Sequence, residues 1–205
     1  MTTPKTPGHI HHCVIGPHCS GKTLWAREVA KTWRDKEAYD DHDKILHLAR
    51  LEQLDVQSPP FRAPHHTCSL VAITGRLERE WYAQPGEVSL AHGGVLFMDE
   101  GAEFKRTVIE QVVRLAGDEG TLVNGLPHDF TLVVALAPCP CGRLGYEGTV
   151  LPGYTNPLEA CRCDPKSVER YQARQHSMFG TLPVYDVLTG EEVVLDYILT
   201  KKDTP

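Results

Sequence analysis

Hydrophobic positions along the chain alternate between two periods. Residues 10–15, IHHCVI, are β-branched and apolar enough to predict a strand. After a Gly-rich octet, KTLWAREVAKTWRDKE (22–37) puts Ala26, Val29, Ala30 and Trp33 on one helical face and turns Arg27, Lys31 and Arg34 away. KILHLA (44–49) predicts a second short strand, whereas residues 58–93, richer in Pro, Gly and His, read as irregular. GVLFM (94–98) and residues 130–137 are unbroken apolar runs, the pattern of strands covered on both faces. Between them a helix is predicted over 102–116, with Phe104, Val108, Val112 and Leu115 as its stripe and Gly117 as its stop. TLVNGLPHDF predicts a hairpin around Asn124-Gly125. A later helix opens with Asp164 as N-cap and Pro165 at its first position. PVYDVLTGEEVVLDYIL reads as a strand or a hairpin turning at Thr-Gly. Strands alternating with helices predict a three-layer α/β domain around a mostly parallel central sheet.

Composition narrows the picture without changing it. A chain of 205 residues suits one well-buried domain. No apolar run approaches the ~20 residues that span a bilayer, and the N-terminal stretch lacks the apolar core of a secretory signal, so a cytoplasmic location is expected. A net charge of −6 argues against a surface built to neutralise nucleic-acid phosphates. Seven cysteines, an odd number, fit a reducing compartment better than a complete disulfide framework.

Candidate chemistry concentrates in GPHCSGKT. Gly16, Pro17, His18, Cys19, Ser20, Gly21, Lys22 and Thr23 match G-x-x-x-x-G-K-[ST] in full. By residue frequencies a chain this long shows such a match by chance about once in a hundred, and here a strand precedes it and a helix follows. Glycines let backbone N–H groups turn inward around phosphates, and the helix beginning near Lys22 aims its positive end at them. Lys22 is expected to reach the β- and γ-phosphates of ATP, and the Thr23 hydroxyl to ligate Mg²⁺. At the end of GVLFMDE, Asp99 and Glu100 emerge where ligands of open α/β sheets bind. Asp99 is read as the second Mg²⁺-holding residue, through water, and Glu100 as the catalytic residue that orients or deprotonates the attacking water.

A second constellation is Cys139-x-Cys141 and Cys161-x-Cys163, separated by a Gly- and Pro-rich loop of nineteen residues. Two thiolate pairs suit a structural tetrahedral Zn²⁺, although C-x-C is tighter than the usual spacing. Loosely packed reduced thiols and a pair of disulfides are the alternatives. Cys13, Cys19 and Cys68 read as ordinary small residues. His9, His11, His12 and His18 have no acidic or Cys partner in sequence, so they read as a polar face rather than a metal site.

With PFRAPHHT (60–67), PGEVSLAHGGVLFMDE (85–100), EFKRTVIE (103–110), APCPCG (137–142) and CRC (161–163) in this order, the chain resembles the magnesium-chelatase-related branch of the AAA+ ATPases, of the ComM/YifB type, over residues from about 10 to 175. The resemblance implies a P-loop AAA+ core using ATP and Mg²⁺, usually in a ring of six whose active sites are shared between neighbours. It divides the chain into a disordered tail at 1–8, the core at 9–186 with a Cys-rich insertion at 138–163, and a tail or short hairpin at 187–205. Family members generally carry Asn in the sensor position before PCPCG, where Ala137 stands. Their L-L-D-R-I-D segment, whose Arg is a candidate trans-acting finger, falls on TLPVYD and puts Val184 in its place. A helical lid and the extra N-terminal domain of ComM-type proteins have no counterpart in these residues. The hairpin LVNGLPHDF, often basic in DNA-moving relatives, carries no Lys or Arg. The expectation is therefore an ATP-binding core with weak or partner-dependent hydrolysis. The alternatives are a regulatory module docked on a full-length AAA+ ring and, less favoured, a DNA branch-migration motor. His65 and His66 belong to the resemblance without a role that their chemistry supplies.

Overall fold

The computed structural model describes residues 11–32, 60–79, 82–118 and 121–194. The strand expected at 44–49, the tail at 1–8, His9 and Trp33 lie outside the described residues. Among the described residues the central sheet has six strands: β1 (His12–Ile15), β2 (Phe61–Arg62), β5 (Gly94–Met98), β8 (Phe130–Leu136), β9 (Val184–Asp186) and β10 (Glu192–Val193). Their order is β10-β9-β1-β8-β5-β2, with every neighbouring pair parallel except β10 on β9. Two small hairpins stand apart, β3 (Arg76–Arg79) with β4 (Tyr82–Gln84) and β6 (Leu122–Val123) with β7 (Leu126–Pro127).

Alternate residues of β5 and β8 explain the three layers. Val95, Phe97, Val133 and Ala135 face α1 (Lys22–Thr32) and pack with Trp25, Ala26, Val29 and Ala30. Leu96, Met98, Leu132, Val134 and Leu136 face the opposite layer, which includes α2 (Leu70–Thr74), α3 (Glu87–Leu90) and α4 (Arg106–Ala116), with Phe179 of α5 (Pro165–Phe179). Both faces are dry, so the unbroken apolar runs are what this sheet requires.

The helix expected at 102–116 is divided. Gly101–Glu103 form one 3-10 turn, Phe104 and Lys105 are extended, and α4 starts at Arg106. Phe104 is fully buried by that break, which a continuous helix would carry elsewhere on its stripe. The stretch 58–93 is not wholly irregular: it contributes β2, α2, the β3–β4 hairpin and α3, all too short to show a period. The hairpin at Asn124-Gly125 forms with both residues at positive φ (53° and 81°), as a two-residue type I′ turn demands. At α5, Asp164 accepts from the N–H of Ser167 and Pro165 takes the first turn. The C-terminal segment resolves as the Thr-Gly hairpin, its turn held by Asp186 accepting from the N–H groups of Leu188 and Thr189.

Of the four histidines read as a polar face, His11 and His12 are drawn into the structure, whereas His18 is exposed. His12 is buried and accepts at Nε2 from the indole N–H of Trp25 at 3.2 Å, while His11 Nδ1 accepts from the N–H of Leu132 at 3.0 Å. Trp25, absent from the expected helix face, is the largest side chain of that core layer. Arg27 folds back with its guanidinium 4.5 Å above the Phe61 ring. Trp25→Ala removes the ring and its hydrogen bond to His12, so it is expected to cost about 3–5 kcal/mol, read as a lower midpoint in urea unfolding.

Candidate functional site

Three parallel strands deliver the site. Ile15 pairs with Leu136, and Met98 pairs with Val134, so the chain leaves β1, β8 and β5 at one edge of the sheet. Gly16, Ala137 and Asp99 are the next residues, and the crevice outside the carboxyl ends of such strands is where ligands bind. A cleft of about 780 Å³ opens there. Of the loop residues singled out from sequence, His18 to Thr23 line it, opposite Asp99 and Glu100. Gly16 and Pro17 form the base of the loop. A Cβ on Gly16 would stand 2.3 Å from Cγ1 of Val187, so only glycine fits between the loop and the chain leaving β9.

The loop is built to present its amides and one cation. Cys19 and Gly21 have positive φ (61° and 95°), which turns successive backbone units inward. The Ser20 hydroxyl donates to the Pro17 carbonyl at 2.8 Å, and α1 has no acidic residue in its first turn to compete for an anion. Lys22 Nζ donates to the carbonyls of Gly16 (2.9 Å) and Pro17. Burial pulls the Lys22 ammonium below its ordinary pKa, and the charges of Asp99, Cys19 and Glu100 oppose that fall. Thr23 and Asp99 supply a hydroxyl and a carboxylate, hard oxygen donors of the kind Mg²⁺ takes.

Glu100 occupies the left-handed region (φ 51°, ψ 49°), a conformation worth about 1–3 kcal/mol of strain in a non-glycine residue. Its N–H donates to Asp99 Oδ1 at 3.0 Å, and its own carboxylate is half exposed in the cleft. His66 lies across from it, Nδ1 3.6 Å from Glu100 Oε2, its ring tilted against that of His65 at 4.1 Å and edge-on to Phe104. The motif PFRAPHHT thus brings one histidine, His66, into the cleft, while His65 pairs with the Thr67 hydroxyl. Sequence reasoning gave His66 no role, because its partner is 34 residues away and nothing local marks it.

The wall behind Glu100 is apolar. Ala137 offers a methyl group, and its carbonyl is taken by Gln175 Nε2 of α5 at 3.0 Å. Gln172 of the same helix holds the Pro138 carbonyl at 2.9 Å. Val184 is buried in β9, paired with Cys13 and packed into the core layer of α4. An arginine side chain leaving that position would enter the core. Among the described residues lining the cleft, Lys22 is a cation and no arginine is present.

Beside the cleft, the four cysteines of the predicted metal site converge. Sγ of Cys139 lies 3.4 Å from that of Cys141 and 3.7 Å from that of Cys161; Cys141 and Cys161 are 3.6 Å apart. All four sulfurs, including that of Cys163, lie within 4.8 Å of one another. Zn–S bonds of about 2.3 Å in a tetrahedron put sulfurs about 3.8 Å apart, so the donor set fits a closed Zn²⁺ site. All seven cysteines are free thiols, which removes the disulfide alternative for this structure. Burial resists ionisation of Cys141. The N–H of Arg143, the Cys139 and Cys163 thiols and the N–H of Arg162 nevertheless bring it down to about 6. Cys161, in the same cluster, is pushed up to about 12, by burial first and by the neighbouring sulfurs. Zinc takes its sulfur ligands as thiolates, so its binding to this cluster would release protons. Cys13 is buried in the core, where desolvation raises its pKa and leaves it inert.

The family model for magnesium chelatase, subunit ChlI, matches residues 6–180. The chain belongs to that family. It is an AAA+ domain of the ATP-binding class, of the ComM/YifB type. It is 33% identical over 178 residues to the uncharacterized protein YifB of Escherichia coli (strain K12), covering 81% of this chain and 32% of that protein. It is 32% identical over 188 residues to the competence protein ComM of Haemophilus influenzae, covering 86% and 34%. The chain therefore spans about a third of the length of these relatives. Among solved structures it is similar to NtrX from Brucella abortus in complex with ATP, with 19% identity, a TM-score of 0.43, and coverage of 67% of this chain and 27% of that one. Among the described residues no helix is long and apolar enough to cross a membrane.

Proposed function

We propose that this chain is a Mg·ATP-holding AAA+ core of the ComM-like type whose hydrolysis is slow or depends on a partner. The observation that carries it is one cleft in which Lys22, Thr23, Asp99 and Glu100 meet, backed by a methyl group at Ala137 and with no arginine among its described lining residues. The inward amides of residues 18–22 and the Lys22 ammonium hold the triphosphate, and Thr23 and Asp99 hold Mg²⁺, which neutralises charge on the β- and γ-phosphates. Glu100 orients a water and takes its proton. An amide at position 137 would share the alignment of that water with Glu100 and the γ-phosphate, whereas alanine does neither. The four cysteines hold a structural Zn²⁺.

A ring of copies, or a ring of full-length relatives to which this chain docks, would supply the arginine that is absent among the cleft's described lining residues. A finger of that type is worth on the order of 10³-fold in turnover. Use of ATP as a switch in such a ring is the second reading, favoured by the same pairing of complete binding groups with an incomplete catalytic wall. A DNA-moving role is the least supported, because the β6–β7 hairpin carries no Lys or Arg.

Phosphate release measured alongside ATP binding tests the proposal. Glu100→Gln is expected to leave ATP affinity within a factor of about three and to abolish the residual turnover, since a positioned base is worth about 10²–10⁴-fold. Ala137→Asn is expected to raise turnover about tenfold or more by restoring an amide to the wall. Turnover of the purified wild type at the rate of complete relatives, lost in Glu100→Gln, would contradict slow hydrolysis.

A further inference from the structure

The four-cysteine loop does more than close on itself, because it forms a wall of the phosphate loop. Pro140, between Cys139 and Cys141, lines the same cleft as His18 to Thr23. The next residue after that pair, Gly142, lies directly on the phosphate loop. A Cβ there would stand 2.6 Å from Cδ2 and 3.3 Å from the backbone nitrogen of His18, and the residue has φ +72°. Tyr146 donates to Asp186 Oδ2 at the end of β9, where Val187 backs Gly16 from the other side. The phosphate loop is thus clamped between the β9 exit and the cysteine loop.

The cysteine loop has anchors of its own along its length: the Arg143–Glu159 ion pair, the Glu147 carboxylate accepting from the N–H of Cys161, and a Val150–Pro157 bridge beside the Gly148–Leu158 and Leu158–Thr149 backbone hydrogen bonds. Its first residues hang from the Gln172 and Gln175 contacts, and its far end from the N-cap of α5 at Asp164. Between them the sulfur cluster draws residues 139–141 and 161–163 together. We propose that metal occupancy of the four-cysteine cluster sets the nucleotide affinity of the adjacent loop, the metal fixing Pro140 and Gly142 against His18 and so holding the loop amides in their phosphate-binding orientation. This rests on the ATP and zinc readings above. Coupling of this kind is reciprocal: if metal strengthens nucleotide binding by some factor, nucleotide strengthens metal binding by the same factor.

Reciprocity supplies a test on the intact, loaded chain. Zinc-loaded protein is mixed with a colorimetric chelator in excess Mg²⁺, with and without saturating ATP, after equilibrium binding of a fluorescent ATP analogue has been measured on the same sample. Nucleotide is expected to tighten zinc binding, read as the equilibrium partition of zinc between protein and chelator, about tenfold in wild type and to have no effect in Lys22→Ala. Gly142→Ala, which crowds the His18 ring and its backbone nitrogen at a positive-φ position while keeping all four sulfurs, is expected to retain one zinc per chain, weaken analogue binding about tenfold and abolish the protection of zinc by nucleotide. Analogue binding together with an identical equilibrium partition of zinc in its presence and absence would overturn the coupling and leave the ATP reading standing. Wild-type affinity in Gly142→Ala would do the same. A chain that binds no analogue, or no zinc, would overturn the underlying reading and the coupling with it.

Discussion

Replacing Lys22 with alanine is expected to weaken Mg·ATP binding between about 30-fold and 1,000-fold, a loss of roughly 2–4 kcal/mol. The ammonium is largely withdrawn from water and now spends its hydrogen bonds on the carbonyls of Gly16 and Pro17. A triphosphate offers anionic oxygens in place of those neutral carbonyls, and a charge-assisted hydrogen bond is about twice as strong as a neutral one. Burial, which lowers the Lys22 pKa, also means that its charge is poorly screened, so its attraction to phosphate keeps most of its strength. The same substitution removes a partly desolvated charge from the nucleotide-free protein, so thermal stability without ATP should not fall. Competition between a fluorescent ATP analogue and unlabelled ATP reads the affinity, and a thermal scan on each variant reads the control.

Cys161→Ser is expected to reduce bound zinc from one per chain to well below one and to lower the melting temperature by about 10 °C. The Cys161 sulfur lies within 3.7 Å of two of its fellows, and three remaining thiols cannot close a tetrahedron around the ion. Zinc binding to a site that does not exist in the unfolded chain is folding free energy. A loss of about 3–5 kcal/mol converts to about 10 °C for a domain of this size, at about 2–4 °C per kcal/mol. Cys68→Ser, outside the cluster, is expected to leave zinc content unchanged. Metal analysis of the purified variants gives the answer directly, and full zinc occupancy in Cys161→Ser would refute a four-sulfur site.

The parts of the fold that were legible in the sequence are those decided by local chemistry. GVLFM and residues 130–136 are apolar throughout because β5 and β8 are covered on both faces. Asp164-Pro165 starts α5 through an N-cap hydrogen bond that needs no distant partner, and Asn124-Gly125 turns because both residues accept positive φ. Long-range partners were not legible. The buried Trp25–His12 hydrogen bond joins residues on different elements, so the histidines looked like a polar strand face and Trp25 looked like nothing in particular. The helix over 102–116 was read straight through a break that exists because Phe104 fills the core beside Ile109 and Phe179.

The candidate site divides along the same line. The phosphate loop and its acids were readable because a Gly-rich spacing and a strand-terminal acid pair each carry a mechanism of their own. The convergence of Cys139, Cys141, Cys161 and Cys163 was readable as a spacing, and the structure adds that one metal-sized space lies between them. The facing of His66 toward Glu100 and the contact of Gly142 with His18 are products of topology, since both join loops that leave different strands of the sheet. No short-range pattern encodes them.

The central claim is that a complete set of nucleotide-holding groups sits beside an incomplete catalytic wall. Calorimetric titration of the purified, zinc-loaded chain with Mg·ATP, with phosphate release followed in the same samples, tests it most directly. Saturable binding of one ATP per chain is expected, requiring Mg²⁺, lost in Lys22→Ala and accompanied by turnover that rises in Ala137→Asn. Binding that is absent, or that survives Lys22→Ala unchanged, would contradict it.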